Sequence, residues 1–394
     1  MPPTCNHTPP APESCYLCKL YMTRPDYRRA WDGEPAAPAT RPRIPTKCVH
    51  LGPILERQNC ACEGKHIRAC AKHGKTTIGD CYQCKDFEEK AKMATFPLRF
   101  DEHNFVPWIG GKRFNSSLIS FKDGFLIAFR TGWCGSEIYL ARLDSSFRAL
   151  ACHKLELFHS HAANYGREDP RLFWFRGRLH VAFIGVVGPK EILYTNQLYA
   201  RLNEDLQVEA IFVPQYPARN YWEKNWQFFE YQDELYASYS IAPHRVLRVR
   251  DNNAELVYSS PTRGEWSGGE LRGGSAPVLV DDEWWCFFHS RVEVHGHRIY
   301  NTGVLTFENR PPFQILRLTP HPILAADPAT KPPDQYASVV FAGGAALVGD
   351  TWIVSHGIHD RWTELHSFSR HELEKQMVQI AWKFPRKEQV GNEV

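Results

Sequence analysis

No stretch of the 394 residues approaches the ~20 consecutive apolar residues that a membrane-crossing helix needs, so a helical membrane protein is excluded. The opening Met1-Pro-Pro-Thr-Cys-Asn-His7 has neither the basic nor the apolar region of an export signal, and a cytoplasmic location is expected. Charge of one sign is also missing: 47 Lys+Arg stand against 44 Asp+Glu, a formal net charge of +3. That balance argues against a surface that wraps a polyanion, and nucleic acid is set aside as a partner. No Rossmann or P-loop glycine fingerprint supports a nucleotide-binding fold. Methionine is scarce at 4, whereas 12 Trp, 16 Tyr and 23 Phe make 13% of the chain aromatic. Such a chain can fill a large core and keep rings for a binding cleft.

Cysteine is almost absent beyond residue 84. Nine of twelve fall at positions 5, 15, 18, 48, 60, 62, 70, 81 and 84, and only Cys134, Cys152 and Cys286 follow. Ten of the 28 Pro lie in the first 47 residues, and the run Glu34-Pro-Ala-Ala-Pro-Ala-Thr-Arg-Pro-Arg-Ile-Pro45 suits neither a helix nor a sheet interior. The organisation expected is a Pro-rich, largely disordered segment over 1–47, a Cys-rich module with a short helix over 48–95, and one large domain over 96–394. Cys5, His7, Cys15 and Cys18 offer one metal-ligand set in the first segment; Cys48, Cys60, Cys62, Cys70, His73, Cys81 and Cys84 offer another in the second. C-x-x-C turns bring two thiolates to one tetrahedral ion, so structural zinc is expected, with unpaired thiols, or disulfides in an oxidising compartment, as the alternatives. An iron–sulfur cluster is disfavoured because no run of four cysteines has ferredoxin-like spacing. Nothing in this segment pairs a nucleophile with a base, and a protein partner is the role left open for it.

From about residue 96 one unit recurs: a strand, a polar or Gly turn, and a second, very apolar strand. The second strands are Phe125–Arg130, Leu179–Ile184, Leu235–Ser240, Trp284–His289 and Trp352–His356. Taking Gly124, Gly177, Asp233, Asp282 and Asp350 as turn markers, the intervals are 53, 56, 49 and 68 residues. Units of this size predict an all-β fold, a five-bladed β-propeller, over a β-sandwich whose hairpins recur at shorter intervals.

In an antiparallel hairpin the start of the first strand and the end of the second share one end, so those positions in every unit should ring one mouth of the channel. First-strand starts bring Asn115, Glu168-Asp169-Pro170-Arg171, Glu223-Lys224-Asn225-Trp226, Arg272-Gly273-Gly274, and Tyr336 with Ser338. Second-strand ends bring Arg130, Gly185, Ser240 with Pro243, His289-Ser290, and His356 leading to Asp360. Carboxylates, cations and Trp rings converging on one mouth are what sugar and phosphate recognition require. Each residue also has a plainer use. Asp and Arg at strand ends can pair with each other, Gly273-Gly274 can be a bulge, and Trp284-Trp285 read as core, with Trp226 balanced between core and ligand platform. His153, His159 and His161 crowd the same approach and read as a loop rather than a metal cluster.

The stretches Tyr165-Gly-Arg-Glu-Asp-Pro-Arg171, Glu223-Lys-Asn-Trp-Gln-Phe-Phe229, Tyr239-Ser-Ile-Ala-Pro243, Arg272-Gly-Gly274 and Phe287-Phe-His-Ser290 resemble the five-bladed propellers of glycoside hydrolase family 130, the β-mannoside phosphorylases, and the related mannosyltransferases of glycosyltransferase family 108. The resemblance covers about residues 100 to 365 and leaves out the Cys-rich segment. It implies an inverting reaction on an oligosaccharide or glycoconjugate, with no catalytic cofactor and with inorganic phosphate or a sugar nucleotide as co-substrate. It also implies one catalytic acid, Asp169, acting through a sugar hydroxyl, and a sugar-binding role for Asp360. Asn115, Glu168 and Asn225 stand beside it as binding candidates. Lys224, Arg272, Arg130 and His289 are candidates to hold phosphate, and Arg171 to orient Asp169. A carboxyl that protonates a leaving oxygen should have a raised pKa, and burial or Glu168 would raise that of Asp169. The family's phosphorylases often carry a basic residue just before the Pro corresponding to Pro243, where this chain has Ala242. A hydrolase would instead need a general base, for which Glu223 and Glu270 are candidates. A non-catalytic glycan-binding propeller is the reading from another class, and an arabinanase-like hydrolase on a similar propeller is the third.

Overall fold

The computed structural model describes residues 113–380 apart from 133–134, 189–192, 265, 295–296 and 333–334, together with the backbone of four earlier strands. The described residues all fall in one compact unit of the chain, within Thr46–Val394. Side chains of the seven Cys and His candidates between 48 and 84 lie outside the described residues, as do Cys5, His7, Cys15 and Cys18. Strands Leu51–Glu56, Ile67–Cys70 and Gly74–Thr77 form a three-stranded antiparallel sheet.

All five expected hairpins are present, each with a two-residue turn: Phe121 pairs Gly124, Phe175 pairs Arg178, Tyr231 pairs Glu234, Val280 pairs Glu283 and Val348 pairs Thr351. The turns work because their residues accept positive φ, as Arg176 and Gly177 do at 51° and 67° and Gln232 and Asp233 at 51° and 59°. Such turns match the right-handed twist that strands generally carry.

Where five like units were expected, four four-stranded sheets and one larger sheet are found. The four-stranded sheets begin with inner strands Arg113–Phe121, Gly166–Phe175, Gln227–Tyr231 and Val340–Val348. The outermost strand of the last one is Thr95–Phe96, contributed from the N-terminal side of the domain. The remaining sheet has eight strands built around Glu283–Val294 and His297–Glu308, each 12 residues long. Their length exceeds that of any neighbour and leaves free edges, which short strands from later loops cover, Leu324–Ala325 and Ala337–Ser338 among them.

Five apolar clusters close the sheets into a ring, each filled mainly from two neighbouring sheets. Leu126, Leu140, Leu172 and Phe183 join the first and second, and Phe173, Tyr199, Trp226 and Phe228 the second and third. Phe229, Trp284, Phe288 and Phe313 join the third to the eight-stranded sheet, which meets the last through Trp285, Phe287, Trp352 and Phe368. Leu118, Phe125, Ile127, Ile353 and Leu365 join last to first. Sheets of this kind cannot stand singly because both faces of the middle strands are apolar; closing the circle buries all of them. Trp226, Trp284 and Trp285 are therefore core, and the ligand role weighed for Trp226 is corrected. Among the described residues no helix is long and apolar enough to cross a membrane.

Trp352 is fully buried, with ring centroids 5.6 Å from Trp285 and 5.3 Å from Phe287. Trp352→Ala is expected to lower unfolding stability by about 3–5 kcal/mol in urea titrations. A loss below about 1 kcal/mol would show that this intersheet core does not hold the ring closed.

Candidate active site

The inner strands are kinked where they enter the mouth. Asn115, Asp169 and Asn225 occupy matching places on three successive sheets, and all have positive φ, at 50°, 49° and 68°. Pairing breaks beside the first two: between Phe114 and Ser117, and at Asp169-Pro170, which sit between Glu168 opposite Ile184 and Arg171 opposite Ala182. Asn and Asp tolerate this conformation better than other side-chain-bearing residues, and the bulge turns them out of the pleat.

Asp169 Oδ1 accepts from Asn115 Nδ2 at 2.8 Å and from an Arg130 guanidinium nitrogen at 3.2 Å. The other terminal nitrogen of Arg130 donates to Glu168 Oε1 at 2.8 Å. Arg130 is buried, its guanidinium 4.8 Å from the centroid of Phe114. Asp360 faces the same group, in a turn where its φ is 52°. Three carboxylates thus share one buried cation. Burial pushes against the charge of Asp169, but Arg130, Arg171, the Asn115 hydrogen bond and Lys224 outweigh it and hold the carboxyl below its ordinary range. The expectation of a raised pKa at Asp169 is therefore corrected. Glu168 moves the other way, raised by burial and by the Asp169 charge. Asp360 is raised to about 6, first by burial and then by Asp169.

Arg171 runs across the channel behind this group. Its Nε donates to the Gly274 carbonyl at 2.5 Å, its terminal nitrogens donate to Asn225 Oδ1 and to the Asp169 carbonyl at 3.0 Å each, and its guanidinium lies 5.3 Å from the Phe341 centroid. Arg171 thus fixes the Asp169 backbone rather than its carboxylate. Gly273 and Gly274 are more than a bulge: a Cβ on the first would strike the Asn225 carbonyl, and on the second the Phe287 carbonyl.

His289 is buried, 4.7 Å from Phe341 and 6.1 Å from Tyr300 by ring centroids. Burial, then Arg171, Arg272 and Lys224, drive its pKa well below the usual histidine value, so it faces the site as a neutral hydrogen-bonding group rather than as a cation. Lys224 is exposed on the loop facing Glu168 and Asp169, and Arg272 is half-buried with one nitrogen on Glu270 Oε2 at 2.7 Å. Asn115 Oδ1, Arg130 Nε and Arg272 Nε are buried polar atoms with no partner, which is costly unless something binds there.

Neither base candidate is placed for water activation. Glu223 is buried with both oxygens engaged: Oε1 by the Asn220 amide at 2.8 Å and the Tyr239 hydroxyl at 2.9 Å, Oε2 by Trp226 Nε1 at 2.7 Å. Glu270 is exposed and pairs with Arg272 and Arg291. Among the described residues no group of His, Cys, Asp or Glu could hold a metal ion, and His153 instead meets the Leu206 carbonyl at 3.1 Å. The rim adds Tyr336, exposed beside Asp360, with the Arg298 guanidinium 5.8 Å from its ring. Arg298 had no signal in the sequence, because the strand carrying it is recognised only as an extension of the large sheet.

No family model matches the chain. A stretch of 120 residues, 30% of the chain, is 29% identical to the β-1,2-mannobiose phosphorylase of Listeria innocua and spans 32% of that protein's length. The structure of β-1,2-mannobiose phosphorylase from Listeria innocua in complex with β-1,2-mannobiose superimposes with a TM-score of 0.52 at 16% identity, over 71% of this chain and 98% of that one. A glycosyl hydrolase from Bacteroides ovatus superimposes with a TM-score of 0.52 at 11% identity, over 70% and 88%. The fold is thus an all-β propeller of the kind these proteins share.

Because Asp360 is raised in the folded state, its stabilising contribution is complete below the unfolded value of 3.8 and is lost as pH rises through about 6. Asp360→Asn should therefore gain stability relative to the parent by about 1–3 kcal/mol between pH 4 and pH 7. Urea unfolding at both pH values measures this, and an equal effect at the two would refute the assignment.

Proposed function

We propose that the chain is a carbohydrate-active enzyme that breaks or forms the glycosidic bond of β-mannosides with inversion, by phosphorolysis or by transfer, with Asp169 as its catalytic residue. The observation that carries this reading is the mouth itself: a carboxylate trio around Arg130 with unmet polar atoms on one side, and Lys224 with Arg272 on the other. The sequence likeness to the Listeria innocua β-1,2-mannobiose phosphorylase supports the mannoside class. We read the eight-stranded sheet as the fifth blade, since it fills the place in the ring between the third sheet and the last.

Phosphorolysis needs no general base, because phosphate is already an anion. Its oxygen bonds to the anomeric carbon while the bond to the leaving oxygen breaks, and that oxygen takes up a proton from Asp169 by way of a sugar hydroxyl. The engagement of Glu223 favours this over hydrolysis, which must deprotonate a water. Phosphate on Lys224 and Arg272 would also offset one of the charges that keeps Asp169 ionised. Binding of the co-substrate would then raise the pKa of the acid and load it with its proton. Arg130 keeps the carboxylate aimed and Asn115 holds the oxygen that it shares. A sugar nucleotide would meet the same cations in the transfer direction.

Incubation with β-1,2- and β-1,4-mannobiose should release mannose 1-phosphate only when inorganic phosphate is present. Asp169→Asn should lower kcat about 10²–10⁴-fold while leaving sugar binding intact. Free mannose without phosphate would make the protein a hydrolase, and full turnover by Asp169→Asn would remove the mechanism.

A further inference from the structure

Two large rings stand in the open beside the site. Tyr221 and Trp222 are 55% and 52% exposed, although they adjoin Glu223, which is buried. Exposed aromatic residues on a mobile loop would mean little, but this segment is tied down. Thr195 accounts for three of the ties: its amide donates to the Tyr221 carbonyl at 3.4 Å, its hydroxyl donates to the Glu223 carbonyl at 2.9 Å, and it forms a parallel bridge with Trp222. Glu223 holds the segment from beneath through Asn220, Tyr239 and Trp226. The rings pack edge to face with centroids 5.5 Å apart, and Tyr194 lies 6.1 Å from Tyr221.

Register fixes where they stand. Gly166, at the mouth end of the strand that carries Asp169, pairs with Val186, and Val186 pairs with Thr195. Thr195 is therefore two strand spacings outward from that strand, about 10 Å. The segment runs back inward to Lys224, which acts electrostatically on Glu168 and Asp169. Tyr221 and Trp222 thus stand three and two residues before Lys224 on the same tied segment, on the outer side of the mouth, where later units of a chain rather than the first would pass. Hydrogen-bonding groups flank it: Arg219, exposed, donates to Asn196 Oδ1 at 2.6 Å, and Asn220 Nδ2 donates to the Tyr239 hydroxyl at 2.9 Å. An exposed ring beside polar groups matches a hexose, whose C–H face is apolar and slightly positive while its hydroxyls point outward from the rim.

We propose that Tyr221 and Trp222 form a platform for the remote sugar units of an oligomeric glycan whose terminal units occupy the mouth at Asp169. The proposal rests on the carbohydrate reading above and deepens it: the substrate class is an oligosaccharide or glycan chain longer than a disaccharide. Stacking on a fixed pair of rings costs little ordering, so the gain in affinity appears only when the chain is long enough to reach.

The test is calorimetric titration of Asp169→Asn, alone and combined with Trp222→Ala, with β-1,2- and β-1,4-linked mannobiose and mannotetraose. Alone, this protein should bind one tetraose more tightly than its biose. Adding Trp222→Ala should cut that tetraose-to-biose affinity ratio about five- to tenfold, and Trp222→Phe should keep most of it. An unchanged ratio, or equal weakening of both sugars, overturns the platform, as does failure of all four sugars to bind. A parent protein that is dimeric and becomes monomeric with Trp222→Ala also overturns it, since the rings would then be an interface. Turnover by the native protein is followed separately. If no mannoside is consumed while the length preference persists, the enzymatic reading fails and the platform stands.

Discussion

A charged group in the middle of a protein is expensive unless its hydrogen bonds are met, and Arg171 shows how this ring meets that demand. It belongs to the second sheet, and its three donated bonds end on the Gly274 carbonyl of the eight-stranded sheet, on Asn225 at the entry to the third, and on the Asp169 carbonyl. Its flat face lies against Phe341 of the last sheet. Burial lowers its pKa to about 10, which still leaves it protonated at neutral pH. The charge therefore stays, and every sheet that touches it must keep its carbonyl or ring in place. Because one of those carbonyls belongs to Asp169, the same bond that locks the ring also fixes the backbone of the residue proposed for catalysis. The absence of side chains at Gly273 and Gly274 is part of the same constraint, since a Cβ at either would separate the sheets that Arg171 connects.

The front of the mouth uses the opposite device. Arg130 has one buried guanidinium and faces three carboxylates, so they cannot all be equally ionised. Asp169 takes the greater share because it also feels Arg171, Asn115 and Lys224. At Glu168 and Asp360 burial and the charge that Asp169 retains outweigh Arg130, and both move upward. Environment thus moves three chemically similar groups in opposite directions within one site, Asp169 down and Glu168 and Asp360 up.

The hairpins were legible in the sequence because a two-residue turn needs Asp, Gly or a tolerant polar residue at positive φ, and the second strands are nearly pure apolar runs. The mouth was legible for a related reason: antiparallel geometry carries equivalent strand ends to one place, and polar residues at the ends of apolar strands stand out. The size of the eight-stranded sheet was hidden, since strands such as Leu324–Ala325 and Ala337–Ser338 are too short to show alternation. Charge states were hidden too. His289 reads as a cation until its burial between Phe341 and Tyr300 is known, and Asp169 reads as a raised acid until Arg130, from a different sheet, is placed 3.2 Å away. Trp222 and Trp226 sit in the same short stretch, and only the bond from Trp226 to Glu223 separates core from surface.

Glu223 is where these threads meet. Its position suggests a base, yet three donors engage both its oxygens and tie down the residues on either side of it. To the N-terminal side it sets Trp222 outward; to the C-terminal side it sets Lys224 toward the carboxylates and Asn225 against Arg171. These three bonds take most of the roughly four acceptor sites of the Glu223 carboxylate and orient it toward Asn220, Trp226 and Tyr239. The structural use of Glu223 and the chemistry proposed for Asp169 are therefore linked. In the phosphorolytic reading proposed above, a carboxylate committed to the loop goes with a nucleophile that arrives already charged, for which Lys224 and Arg272 are the proposed holders.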